Sequence, residues 1–121
     1  MELLSRVSFG HVATSMRAMP FVAPARHLLT EDGLTVRMHA GLGYQQACAG
    51  SVVAYGADNF NSGDTVLWSV QCTGTAEIIE PTRALEELYG PGPRSVDGEP
   101  FEPVYMRLVP QFVTVHTFDY S

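Results

Sequence analysis

Apolar and polar residues alternate along much of this chain, most cleanly at 66–72. There Val66, Trp68, Val70 and Cys72 take one side and Leu67, Ser69 and Gln71 the other. A period of two marks a strand with one buried face. The pattern predicts strands over 8–15, carrying Phe9 and Val12, and over 21–29, after a turn at Arg17-Ala18-Met19-Pro20. Pro24 places an edge or a bulge inside the second strand, because proline donates nothing to a ladder. Glu31-Asp32-Gly33 reads as a hairpin turn into a third strand over 34–39, and valine-rich 51–55 as a fourth. A long strand covers 65–79 with a bend at Gly74, and a last one covers 104–118 with a bulge at Pro110. Between them, Gly41-Leu42-Gly43 opens a short helix over 44–49 closed by Gly50. A second helix starts at Glu80-Pro81-Thr82 and shows Ala84, Leu85 and Leu88 on its apolar face. Residues 89–103 hold four of the eight prolines and read as a loop. Six strands and two short helices joined by tight turns predict an all-β dominated protein, a small six-stranded β-barrel in one domain over 1–121.

Composition narrows the function classes. With 45% hydrophobic and 17% charged residues the chain has the makeup of a packed domain. No apolar run approaches the ~20 residues of a membrane span, and no basic-then-apolar leader opens the sequence. The expected location is the cytoplasm, with no membrane partner. Thirteen acids oppose seven bases, and every base is an arginine. Those arginines are scattered and the net charge is −6, which argues against a nucleic-acid partner. A chain without lysine also excludes Schiff-base chemistry and a P-loop. Cys48 and Cys72 form no CxxC unit and read as buried small residues rather than a disulfide or redox pair.

The strand over 34–39 followed by Gly41-x-Gly43 and a helix has the outline of a dinucleotide fingerprint. Gln46 stands at the third glycine position and the helix is too short for a βαβ crossover, so that motif fails. The turn stays open to two readings, as an anion-receptive turn or as a purely structural one. Arg37 just before it is either a bidentate phosphate clamp or a surface arginine paired with one of the carboxylates. His11, His27, His39 and His116 have no metal-ligand spacing, so no metal site is expected. No GxSxG or paired-carboxylate motif appears, and Glu86-Glu87 reads as a solvated face.

Taken in order, these segments resemble the pyridoxamine 5′-phosphate oxidase-like family of flavin-binding split barrels. The resemblance runs through Leu3-Leu4-Ser5-Arg6-Val7-Ser8-Phe9-Gly10-His11-Val12, Met19-Pro20-Phe21-Val22-Ala23-Pro24-Ala25, and the strand ending in Arg37. It continues through Ala47-Cys48-Ala49-Gly50, Trp68-Ser69-Val70-Gln71-Cys72-Thr73-Gly74-Thr75-Ala76 and Tyr105-Met106-Arg107-Leu108-Val109-Pro110-Gln111-Phe112-Val113-Thr114. The order of the whole set carries the resemblance, not one motif.

That resemblance implies a split β-barrel homodimer with FMN in the groove between subunits. It implies Arg37 as a phosphate ligand and Trp68-Ser69 near the cofactor or the dimer seam. Met38, His39, Gly43, Tyr44 and Gln45 complete the expected cofactor contacts, with Trp68 walling the ring pocket. His116 is the candidate substrate-side proton donor for an oxidoreductase acting on a small organic metabolite. A deazaflavin ranks below FMN, since its acidic tail suits a lysine-free chain of net charge −6 poorly. Met38 and Leu42-Gly43 stand where many relatives carry hydroxyls and a cation. One lost charge-assisted partner costs about 1.5–3 kcal/mol of phosphate affinity. The alternative is therefore a split barrel that has lost flavin and uses the same groove for another small molecule or for non-redox catalysis.

Overall fold

The structure is a computed structural model, and it describes residues 2–31, 33–41 and 43–121. A 3-10 helix, Glu2–Arg6, leads into β1 (Phe9–Met16), β2 (Met19–Thr30) and β3 (Gly33–His39). Helix α1 (Tyr44–Cys48) precedes β4 (Val52–Asp58) and β5 (Val66–Ile79). Helix α2 (Arg83–Tyr89), the two-residue strands β6 (Ser95–Val96) and β7 (Glu99–Pro100), and β8 (Pro103–Asp119) complete the order. Six strands close a barrel in the order β1-β2-β3-β8-β5-β4, and β6 and β7 form a separate hairpin.

The alternation read from the sequence sets the barrel wall. Val12, Ala23, Ala25, Leu34, Val36, Met38, Tyr55, Trp68, Val70 and Cys72 point inward and are buried. Leu4 of the 3-10 helix is fully buried and belongs to the same core. Its carbonyl meets Nε2 of His27, which is 2% exposed. Nδ1 of the same ring meets the Tyr55 hydroxyl. Facing a carbonyl, Nε2 must carry the proton, so Nδ1 accepts from Tyr55.

Several local expectations need correction. Pro20 lies inside β2 opposite Ser15, and the hairpin turn is Arg17-Ala18 alone. Both turn residues have positive φ, as a two-residue turn that matches strand twist demands. Pro24 does sit where β2 pairs with β1 only, since the β2–β3 ladder begins at Arg26. The bend at Gly74 and the bulge at Pro110 are one event. Thr73 faces Phe112 while Gly74 faces Pro110, leaving Gln111 as the extra residue. A methyl group on Gly74 would lie 1.9 Å from the Val109 carbonyl oxygen.

Pro81 precedes α2 rather than opening it, and Thr82 caps the helix by accepting from the Leu85 amide at 3.1 Å. The expected apolar face of α2 is largely exposed; its buried residue is Tyr89, assigned above to the loop. The loop itself contains the β6–β7 hairpin. The central residue of the turn before β3, Asp32, lies outside the described residues, as does Leu42 of the glycine turn. Cys48 and Cys72 are not joined in a disulfide and are fully buried. No described helix is long and apolar enough to cross a membrane.

Candidate functional site

Arg26 and Arg37 are register partners on β2 and β3 and project from the outer face of the barrel. Each donates to a carbonyl at the end of α2: Arg26 to Tyr89 O, and Arg37 to Gly90 O at 2.8 Å. Both guanidiniums lie over the Tyr89 ring, at 5.6 and 5.1 Å from its centroid. Arg37 also faces the Phe101 ring at 5.6 Å and is only 7% exposed. By contrast, Arg6, Arg83 and Arg107 are paired with Glu2, Glu87 and Glu77. Among the described residues neither Arg26 nor Arg37 has a carboxylate partner, in a chain where acids outnumber bases nearly two to one. Arg37 is buried and Arg26 half-buried, and holding a cation away from water without a counter-charge is costly.

Beside them lie two clefts with common walls. One, of about 170 Å³, is lined by Phe9, Arg26, Arg37, Pro93 and Phe101 among others. The other, of about 360 Å³, has Ala23, Gly41, Tyr44, Asp97 and Glu99 in its wall. Pro24, Met38, His39 and Val96 line both. The Tyr44 ring stacks on Phe21 with centroids 4.2 Å apart, which fixes one wall. The Glu102 amide donates to Nδ1 of His39 at 3.1 Å. A neutral His39 therefore carries its proton on Nε2 and is a donor on that side. Gly41 leaves room for this edge, since a methyl there would lie 3.0 Å from His39 Cδ2.

The structure thus brings Met38, His39 and Tyr44 together on one cleft, with Arg37 at its neighbour. Gly43 caps α1 in the left-handed region, at φ 75°, and Gln45 follows Tyr44 on that helix. Two amides of the glycine turn are spent inside it, Tyr44 N–H on Gly41 O and Gln46 N–H on Gly43 O. Oε1 of Gln45 is buried with no hydrogen-bond partner among the described residues. Trp68, Ser69 and His116 are not part of this cleft. Trp68 packs in the barrel core, while Ser69 faces Asp58 on one side and His116 on the other across β4, β5 and β8. Asp58 and Ser69 share a shallow outer concavity with His11. The serine stands between the acid and His116, so the order needed for an activated serine, with histidine in the middle, is not met.

Sequence reasoning missed Arg26, Tyr89 and the acidic hairpin residues Asp97 and Glu99. A two-residue spacing would have placed Arg26 and Pro24 on one face of β2, but nothing local pairs Arg26 with Arg37. Among the described residues no group of three or more His, Cys, Asp or Glu is placed to hold a metal ion.

A closed six-stranded barrel with a strand-end glycine turn, a short helix beside it and long paired strands defines the split-barrel class. The chain matches the family model of pyridoxamine 5′-phosphate oxidase over residues 1–117 and belongs to that family. It is 34% identical over 88 residues to the uncharacterized protein Rv0080 of Mycobacterium tuberculosis, a stretch covering 67% of this chain and 57% of that one. Its fold is that of a protein described as FAD-binding from Mycobacterium smegmatis, with TM-score 0.70 and 19% identity over 97% of this chain and 92% of the other. A protein described as a putative pyridoxamine 5′-phosphate oxidase from Corynebacterium glutamicum superposes with TM-score 0.71 and 22% identity, over 99% and 87% of the two chains. HutZ of Vibrio cholerae, described as a heme storage protein, reaches TM-score 0.70 at 15% identity over 94% and 89%. These likenesses below a quarter identity concern the fold.

Proposed function

We propose that this chain is a flavin-binding split barrel that acts as a homodimer, taking FMN in preference to a deazaflavin. The observation that carries the reading is the Arg26–Arg37 pair, one buried and one half-buried cation without a carboxylate partner among the described residues, opening onto a cleft with apolar and aromatic walls. A group with a flat ring and a phosphate meets both features. Tyr44 and Pro24 would face the ring, His39 Nε2–H would donate to an acceptor on its edge, and Arg37 with Arg26 would hold the phosphate. A bound flavin supplies hydride or electron transfer, which makes the chain an oxidoreductase on a small organic molecule. The relatives described as FAD-binding support a flavin in general.

The dimer is supported by β8. Its residues 109–119 pair with β5 alone and are all exposed, with Phe112, Val113, Val115 and Phe118 among them. A long apolar edge without lysine invites a second chain. Ser69 and His116 lie along this β5–β8 ribbon, so a cofactor site that uses them is completed at the seam between subunits. Buried cysteines outside any disulfide suit a reducing compartment such as the cytoplasm.

The second reading, a groove without flavin, is favoured by one feature: Asp97 and Glu99 stand at the mouth of the larger cleft, where they oppose an anion. The deciding experiment is an absorption spectrum of protein purified without added cofactor, then after excess FMN and desalting. Flavin bands retained at one per chain support the first reading. A colourless protein after FMN supports the second. Arg37→Ala should weaken FMN binding about tenfold, the worth of one charged hydrogen bond.

A further inference from the structure

The paired arginines already hold something, namely the C-terminal end of α2. Carbonyls there carry the negative end of the helix dipole, so Tyr89 O and Gly90 O stand in as a weak anion. Little else holds this helix. Tyr89 is its buried side chain, 1% exposed, with its hydroxyl 2.9 Å from Thr35 Oγ1, whereas Leu88 is 61% exposed. The segment that follows carries Pro93, Val96, Asp97, Glu99 and Phe101, which form the outer walls of both clefts.

We infer that α2 and the segment to residue 102 form a latch over the site, and that a phosphoryl group opens it by taking the guanidiniums of Arg26 and Arg37 from the two carbonyls. The inference rests on the proposed phosphate role of these arginines. A phosphoryl group offers a guanidinium full negative charge and two acceptor oxygens for a bidentate pair, where each carbonyl offers one neutral acceptor. Once the carbonyls lose both donors, α2 keeps the Thr35 bond, the edge contact of Tyr89 with Tyr105 and the half-buried Leu85. The Glu102 bonds to Ala40 and His39 tether the far end of the segment. The latch then links occupancy at the arginines to exposure of the cleft in which Met38, His39 and Tyr44 stand.

The test is hydrogen–deuterium exchange of the full chain, read at amides 83–102 with the β5 amides as internal reference. FMN should speed exchange in 83–102 about thirtyfold, the factor carried by two net hydrogen bonds, and leave β5 unchanged. Riboflavin, the same ring without phosphate, should not. Tryptic cleavage at Arg83 and Arg94 should quicken in parallel. Arg26→Gln should raise exchange in 83–102 with no ligand present and shrink the FMN effect; Arg37→Gln should do the same. Bound FMN that leaves 83–102 unchanged or better protected overturns the latch, and so does an equal effect of riboflavin. If neither flavin binds, the flavin reading fails by itself. Pyrophosphate then decides the latch, which falls if that anion leaves exchange in 83–102 unaltered at every concentration.

Discussion

His27 makes the barrel's stability depend on pH, and the sign follows from its surroundings. The ring is 2% exposed, Nε2–H donates to Leu4 O at 2.7 Å, and Nδ1 accepts from the Tyr55 hydroxyl. Burial holds its pKa below the ordinary value of 6.5, and neighbouring Arg26 adds a smaller push in the same direction. The unfolded chain therefore takes up this proton at a higher pH than the folded one. The His27 contribution is fully present above pH 6.5 and is lost as pH falls from there toward the folded pKa. Over that window one proton is worth up to about 1.4 kcal/mol per pH unit. The perturbation is His27→Gln, which keeps a donor and an acceptor but does not titrate. Urea unfolding at pH 7.5, 6.5, 5.5 and 5.0, spacing chosen to bracket the ordinary histidine value of about 6.5, gives the slope for both proteins. The wild type should lose stability more steeply below pH 6.5, with the excess slope approaching the one-proton limit of ~1.4 kcal/mol per unit. Equal slopes in the two proteins would refute the assignment of a neutral, buried imidazole.

Other consequences are as direct. Tyr55→Phe removes the donor to His27 Nδ1 and leaves a buried acceptor unpaired, so it should cost about 1–3 kcal/mol in urea unfolding; a neutral result would show that the bond is not made. Gly74→Ala drives a methyl into the Val109 carbonyl and should cost about 3 kcal/mol or more, read as a fall in Tm; an unchanged Tm would contradict the bulge geometry. Replacing Arg17-Ala18 by Asn-Gly relieves two positive-φ residues in the first hairpin and should stabilise by about 1 kcal/mol in thermal unfolding. Burial raises both thiol pKa values, so Cys48 and Cys72 should resist a thiol reagent in the native protein and react together on unfolding; rapid native labelling would place one at the surface. Phe112→Glu with Val115→Lys should convert the proposed dimer to monomer on size exclusion, with β5 amide protection unchanged.

Much of the barrel is legible in the chain alone. Alternation at 66–72 separates Trp68, Val70 and Cys72 from Ser69 and Gln71, and it does so because a strand's side chains alternate whatever lies beside it. Gly74 and Pro110 each announced an irregularity, and both belong to one bulge. Met38, His39 and Tyr44 are neighbours because they flank one turn, where sequence distance and spatial distance agree. What lay beyond reach was every relation between distant segments. That Arg26 stands beside Arg37, that both grip Tyr89 and Gly90, and that Leu4 reaches His27 follow from ladder register and barrel closure. Periodicity sets which face a residue takes, but the partner strand and its register are chosen by packing of the whole core. Tyr89 shows the difference most plainly. Beside Gly90 and Pro91 it reads as the start of a loop, yet two arginines brought together by the barrel make it the anchor of a helix.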